Sequence, residues 1–394
     1  MYSRNVITWI RKDLFFNGND FVETLSSYDY FCSVESISLL YHKQKKVIMI
    51  IAVAMSGGVD SSTTAALLKS NGYNIFGVTM DNHADYISDI NSAKNICDIL
   101  DIEHYVMHAR EEYKKCVMDV FAAYYANGMT PNPCALCNRD IKMNLLLKFA
   151  LSHGADAMAT GHYISMEVNG DDVKMFEAKN SQKDQSYFLS LVDKNNLKRV
   201  LFPLGEIEDK AKTRHLAKEF GLPNFDKEES QDICFLKHGS YKEFLHEFYE
   251  GLNISKPGNI VLEDTEQIIG RHNGLQNYTI GQRRGIGISH KTPLYVKRLD
   301  RVANQVIVSE SYSLSCNRFK IFSTNWILEY PATFEANVKI RSSSEKTRAK
   351  IKRITSGAII ELLEKPSSPV TPGQVCAMYD DNNIVIGGGI IQYE

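Results

Sequence analysis

The stretch Val47-Ile-Met-Ile-Ile-Ala-Val-Ala-Met-Ser-Gly-Gly-Val-Asp-Ser61 decides how this chain reads. Its first nine residues form an unbroken apolar run, as expected for a strand buried on both faces of a parallel sheet. Two glycines let the backbone curl, and Ser61–Asn71 then carries helical spacing at Ala65, Leu68 and Lys69 before Gly72 stops it. A strand, a glycine turn and a helix in that order make an anion cradle, because successive N–H groups and the helix N-terminus converge on one place. Ser56, Ser61 and Ser62 add hydroxyl donors, and Asp60 is the acid that would hold a magnesium ion beside bound phosphates. The plain alternative is a glycine turn with Ser61 as a helix cap; the full strand–SGGVDS–helix context argues against it. The loop also differs from G-x-x-x-x-G-K-[ST], since no lysine follows the glycines to reach a γ-phosphate.

Outward from this loop, strands and helices alternate. Tyr73–Met80 and His104–Met107 read as strands, Ser88–Leu100, Glu111–Ala126 and Arg139–Leu151 as helices, and Ala155–Thr160 as a further strand. Such repetition predicts a doubly wound α/β sheet. After a hairpin-type turn at Val168-Asn-Gly170 the character shifts. Asp209–Phe220 and Tyr241–Tyr249 look amphipathic and predict a small, mostly helical middle module. From about Ile260, short β-rich runs broken by turn residues predict a small antiparallel barrel or sandwich.

Composition bounds the function. The 394 residues suggest two or three domains, and 44% hydrophobic with 23% charged residues excludes wholesale disorder. No apolar run reaches the ~18 residues a transmembrane helix needs. Eight cysteines without a secretory signal read as cytosolic thiols. With 45 basic and 47 acidic residues, any nucleic-acid surface must be local. Two such runs exist: Arg271–Arg301, with Arg283, Arg284, Lys291, Lys297 and Arg298 against Asp300, and Lys339–Arg353, opposed only by Glu345. A charge run is ordinarily a solvated face, but two of them on one β-rich module favour RNA docking. Residues 1–46 follow no steady period and carry too many acids for a transit peptide. They hold none of the motifs. A chain starting at Val47 or Ile48 is therefore expected to keep full activity; a large loss in folded truncated protein would make the extension functional.

The second informative stretch is Thr130-Pro-Asn-Pro-Cys134-Ala-Leu-Cys137-Asn-Arg-Asp-Ile-Lys142. Two prolines stiffen the lead-in, and a helix beginning near Arg139 would set Cys137 by a helix N-terminus, where a thiol pKa falls and a thiolate nucleophile is favoured. Taken alone, the C-x-x-C pair also admits half a zinc site, without a second pair at finger spacing, or a redox pair. Cys234, in Ser230-Gln-Asp-Ile-Cys-Phe235, has the polar surroundings of a loop, whereas Cys97 and Cys116 sit at apolar helical positions.

SGGVDS, TPNPCALCNRDIK, Ala159-Thr-Gly-His-Tyr163, Lys183-Asp-Gln-Ser-Tyr-Phe-Leu189 and SQDICF occur in one order. They are followed by Tyr278-Thr-Ile-Gly-Gln-Arg-Arg-Gly-Ile-Gly287, Thr371-Pro-Gly-Gln374 and Gly387-Gly-Gly-Ile390. From about Val47 to the C-terminus the set resembles the bacterial tRNA-specific 2-thiouridylases, within the PP-loop ATP pyrophosphatase superfamily. The resemblance implies an adenine nucleotide alpha hydrolase-like PP-loop domain over 47–205. It also implies a small central domain carrying Cys234 over 206–272 and a tRNA-contacting antiparallel β-barrel over 273–394, with 1–46 outside the function. ATP, with Mg2+, would be held by Ala54, Met55, Ser56, Gly57, Gly58, Val59, Asp60, Ser61, Met80 and Gly161. The wobble uridine of Lys, Glu and Gln acceptor tRNAs would be adenylated at its C2 oxygen and then thiolated. Cys234 would carry the persulfide, Cys137 would free its sulfur, and the two would pass through a transient disulfide. Asn132, Pro133 and Cys134 would border the base, while His162, Lys183, Asp184, Gln185, Arg341 and Gln374 would face tRNA. A cysteine desulfurase or sulfur-relay protein would supply sulfur, in the cytoplasm. Some members have aspartate where this chain has Cys134, and a basic–aromatic pair where it has Arg341-Ser342. A PP-loop ligase acting on a small molecule, or a zinc-stabilised RNA-binding protein with an inert nucleotide fold, are the competing readings.

Overall fold

The computed structural model describes residues 49–83, 87–228, 233–236, 240–248, 256–310 and 316–392; the extension expected over 1–46 lies outside them. Strand β1 (Ile50–Ala54) buries Ile51, Ala52 and Val53 completely, as the apolar run predicts. Ile51 and Val53 pack in one cluster with Ala65 and Leu68 of helix α1 (Val59–Ser70), and Ala52 faces a second cluster on the other side. Strands β2 (Asn74–Asp81) and β3 (His104–His108) flank β1 on one side, with α2 (Ile87–Ile99) between them in sequence.

Two longer helices follow, α3 (110–126) and α4 (133–152), each widening into a π-helical stretch, at Lys114–Met118 and Cys137–Leu146. The start of α4 corrects the sequence expectation. The helix begins at Pro133, not near Arg139, with Asn132 as its cap: the Asn132 side chain accepts from Ala135 N at 3.1 Å. Proline at the first helical position has its φ already set and needs no N–H partner. Pro-Asn-Pro therefore launches the helix, and Cys137 lies one turn inside it.

Strands β4 (Ala157–Ala159) and β7 (Val200–Leu201) complete a five-stranded, wholly parallel sheet in the order β3-β2-β1-β4-β7. Between them β5 (Ile164–Asn169) and β6 (Asp172–Glu177) form the hairpin read from Asn-Gly, with Gly170 at φ +59. Short helices α5 (Ser186–Leu189) and α6 (Lys194–Leu197) precede β7. After it come α7 (Lys210–Glu219), a 3₁₀ turn at Cys234–Leu236, and α8 (Tyr241–Phe248).

The C-terminal part contains two β units. Strands β8 (Gly258–Leu262), β9 (Ile268–His272), β10 (Tyr295–Asp300) and β11 (Gln305–Ser309) form a sheet in the order β10-β11-β8-β9. Strands β12 (Arg318–Trp326), β13 (Thr333–Lys339), β14 (Thr347–Ile354), β15 (Gly357–Leu362), β16 (Val375–Tyr379) and β17 (Val385–Gln392) close an antiparallel barrel. The basic run of β14 is an alternating strand: Thr347, Ala349 and Ile351 point inward while Lys350 and Lys352 are exposed. The barrel sits against the parallel-sheet unit through Asn325, whose amide donates to Ser190 O and Val192 O. Gly388 allows the close approach there, since a Cβ would lie 2.6 Å from Ser190 Oγ.

Candidate functional site

The strand order places the site. Chain progression from β1 runs through β2 to β3 on one side, whereas β4 and β7 lie on the other. In such sheets the crevice beyond the strands' carboxyl ends, at this switch point, takes the ligand. Here it lies between the β1 loop (residues 55–58) and the β4 loop (residues 160–162). Gly57 sits at φ +70, and a Cβ on Gly161 would stand 2.8 Å from Asp60 C and Ser61 N, so the two loops meet backbone to backbone. Ser61 Oγ donates to Gly58 O and accepts from Ser56 N, and Ser62 Oγ donates to Gly58 O. These hydroxyls fix the loop's shape and leave the first-turn N–H groups of α1 without intrahelical acceptors, as at any helix start. Asn224 and Lys227, beyond α7, brace the loop by donating to Gly57 O at 3.1 and 3.3 Å. Met80 is buried near the end of β2.

Asp60 is engaged. Lys210 Nζ, at the start of α7, donates to both carboxylate oxygens at 2.6 and 2.7 Å, and Tyr163 OH donates to Oδ1 at 2.8 Å. Tyr163 OH is also bonded to Thr213 Oγ1, which ties Asp60, the β4 loop and α7 into one network. A nucleotide triphosphate fits this cradle: a glycine turn at positive φ, an open helix start and a lysine beside it. A magnesium ion seated on Asp60 does not fit the arrangement seen, because the carboxylate already carries an ammonium.

The thiols gather on the other side of the sheet. Cys134 is exposed at the start of α4, Cys137 is buried in the next turn, and Cys234 is half-buried. Cys234 Sγ lies 2.9 Å from Tyr113 OH on α3. Burial, joined by charge on Cys234 and Cys134, pushes the Cys137 thiol up to about 12 against the pull of Lys142. The helix-start activation expected for Cys137 is therefore absent, because the helix begins four residues earlier and encloses the thiol. In the free protein, iodoacetamide at pH 8 should modify Cys134 well before Cys137, as peptide mass mapping would register; the reverse order would contradict this burial. Among the described residues no group of three or more His, Cys, Asp and Glu side chains is arranged to hold a metal, so the C-x-x-C pair gains no zinc partners there. Cys97 and Cys376 are core residues; Cys116 and Cys316 are half-buried.

The residues expected to face tRNA divide into two kinds. Gln374 reaches from the barrel to the Thr130-Pro131 loop, donating to Thr130 O at 2.9 Å and Pro131 O at 3.2 Å. Gln185 Oε1 accepts from Tyr163 N, and the half-buried Asp184 carboxylate accepts from Ala178 N, Ser186 N and Ser186 Oγ. Arg341 donates to Ile280 O and Thr371 Oγ1. These four side chains hold the loops of the site in place. His162 is pushed down to about 3 by burial, with Lys142 nearby, so its imidazole is neutral at physiological pH. Lys183 is half-buried, whereas Arg283 and Arg284 are exposed. Lys297 and Arg298 are paired with Glu263 and Asp300.

Three family models match in succession: tRNA methyl transferase HUP domain over residues 49–238, tRNA methyl transferase PRC-barrel domain over 242–310, and aminomethyltransferase beta-barrel domain over 316–391. The chain is 43% identical over 351 residues to tRNA-specific 2-thiouridylase MnmA 1 of Fusobacterium nucleatum, covering 87% of this chain and 93% of that one. It is 41% identical over 360 residues to tRNA-specific 2-thiouridylase MnmA of Orientia tsutsugamushi, covering 87% and 96%. The chain belongs to the tRNA-specific 2-thiouridylase family. It is a tRNA sulfurtransferase with an ATP-using PP-loop domain.

For a 2-thiouridylase, the structure adds residues that the motifs did not single out. Lys210 and Tyr113 are separated from their partners by 150 and 121 positions, so no local pattern announces them. Tyr163 stands inside a motif, but its task became visible only with Asp60 beside it. Asn224 and Lys227 gave no signal beyond following α7.

Proposed function

We propose that the protein adenylates the C2 oxygen of the wobble uridine in Lys, Glu and Gln acceptor tRNAs and replaces that oxygen with sulfur from a persulfide on Cys234. The uridine oxygen attacks the α-phosphorus of ATP and pyrophosphate leaves, which gives the base a leaving group that an unactivated carbonyl lacks. In our reading magnesium arrives on the nucleotide's phosphates, and Lys210 supplies the cation that the glycine loop itself lacks. The outer sulfur of the persulfide adds at C2 and AMP departs. The Cys137 thiolate then attacks the inner sulfur of Cys234. The S–S bond breaks, its electron pair stays with the sulfur on C2, and a Cys137–Cys234 disulfide forms. A thiol reductant returns two electrons before a desulfurase or relay protein reloads Cys234 in the cytoplasm.

The observation that carries this reading is that Cys137 and Tyr113 share one packed cluster against which Cys234, about a hundred residues from Cys137, lies with its Sγ 2.9 Å from the Tyr113 hydroxyl, beside a helix whose lead-in loop is tied to the barrel by Gln374. Thiolate attack on sulfur requires contact. Non-reducing peptide mapping after one turnover without reductant tests it: a Cys137–Cys234 link supports the route, and a dominant Cys134–Cys137 link with an active Cys234→Ser enzyme opposes it. On the RNA side, the exposed pair Arg283 and Arg284 meets phosphate in this reading. Reversing both charges should weaken tRNA binding and flatten its salt dependence, since each phosphate that is no longer neutralised lowers the slope by ~0.7–0.9. ATP binding should be unchanged, and salt-insensitive tRNA binding by the unaltered enzyme would remove the two arginines from the interface.

A further inference from the structure

The sulfur carrier is held by something other than its own loop. Tyr113 is 1% exposed, and its hydroxyl lies 2.9 Å from Cys234 Sγ. Beside it, the ring of Phe235 anchors the same short turn, with centroids 5.2 Å from Phe121, 4.9 Å from Phe244 and 6.3 Å from Tyr113 itself. The aromatic cluster fixes where the turn sits. The hydroxyl fixes the sulfur atom. Tyr113 and Cys137 belong to one packed cluster against which Cys234 lies, and Tyr113 also feels the charges of Cys137 and Cys134. In the free thiol either atom can donate, but a Cys234 persulfide has no proton on its inner sulfur. In that state only the tyrosine can donate.

We propose that Tyr113 is the positioning residue of the sulfur carrier, its hydroxyl donating to Cys234 Sγ and keeping that inner sulfur turned toward the thiols of α4. The assignment rests on the sulfur-transfer reading above. Attack by Cys137 forms the Cys137–Cys234 bond, breaks the persulfide bond and leaves the outer sulfur on the base. The hydrogen bond presents the inner sulfur for that attack and takes no proton itself. The hydroxyl has no part in adenylation, which happens at the β1 and β4 loops.

The test uses the full-length enzyme charged with persulfide, tRNA and magnesium-ATP, with AMP and 2-thiouridine counted separately. Tyr113→Phe keeps the ring and its packing. It should slow 2-thiouridine formation about tenfold, the factor carried by one hydrogen bond of ordinary strength. The KM values for ATP and tRNA should hold, while the ratio of AMP to 2-thiouridine in a single turnover rises above one, because AMP has left before Cys137 attacks and the sulfur on the base stays linked to Cys234. Tyr113→4-aminophenylalanine, which retains a donor, should restore the coupling. A Tyr113→Phe enzyme with wild-type rate and ratio, an equal fall in both products, or no rescue by the amino variant would overturn the assignment. Cys234→Ser in the same assay separates the two levels. If it still thiolates, the sulfur-transfer reading fails; if it is inactive while Tyr113→Phe is normal, only the role of Tyr113 fails.

Discussion

Cys137→Ser and Cys234→Ser should each abolish 2-thiouridine formation, by three orders of magnitude or more, on the scale of removing a reacting nucleophile (about 10⁴–10⁶ in rate). A serine in place of Cys234 cannot carry sulfane sulfur, and a serine in place of Cys137 cannot close the disulfide that releases it. Both variants should still bind tRNA and consume ATP, because in the proposed route adenylation precedes sulfur transfer and draws on the β1 and β4 loops. Cys134→Ser should retain activity, since Cys134 is exposed and hydrogen bonding around it passes through Asn132 and Ala135 instead. Nucleoside mass spectrometry and AMP release, measured on the same samples, check all three. Burial pushes the Cys137 thiol up to about 12, so in the proposed route its thiolate would form once tRNA docking opens the surroundings of α4.

Asp60→Ala should lower AMP formation about 100-fold or more, the range seen when a group that organises charge in an active site is removed. The reason lies in Lys210. Its side chain is 14% exposed and its ammonium is shared between the two Asp60 oxygens, so loss of the carboxylate leaves a cation misplaced beside the cradle and undoes the link to Tyr163. Lys210→Met should fall in the same direction, through loss of the charge opposite the phosphates. The fold should survive both, since Asp60 is one-third exposed and contributes little to the core. Wild-type AMP release from Asp60→Ala would remove the PP-loop from the mechanism.

Much of this was legible because it is local. The run Ile50–Ala54 and the glycines after it are one continuous physical statement, and the parallel sheet follows from its burial on both faces. The barrel was legible as a class, yet β14 hid behind its lysines because two of its inward residues, Thr347 and Ala349, are polar or small and leave Ile351 as the one large apolar signal among them. The start of α4 was misread for a different reason: Pro-Asn-Pro has the composition of a loop, and only the geometry of the Asn132 cap reveals a helix start. That single misplacement reversed the expected state of Cys137. Distance in sequence hid the rest. Tyr113 meets Cys234, and Lys210 meets Asp60, only after the sheet has wound and α7 has packed on α1.

The most direct measurement is the nucleoside composition of unmodified substrate tRNA after incubation with the enzyme, ATP, magnesium and a persulfide donor. The account predicts one 2-thiouridine per tRNA at the wobble position, matched by one AMP and one pyrophosphate, and none when ATP or the donor is left out. AMP and pyrophosphate released without any thiolated nucleoside, or thiolation independent of ATP, would contradict it.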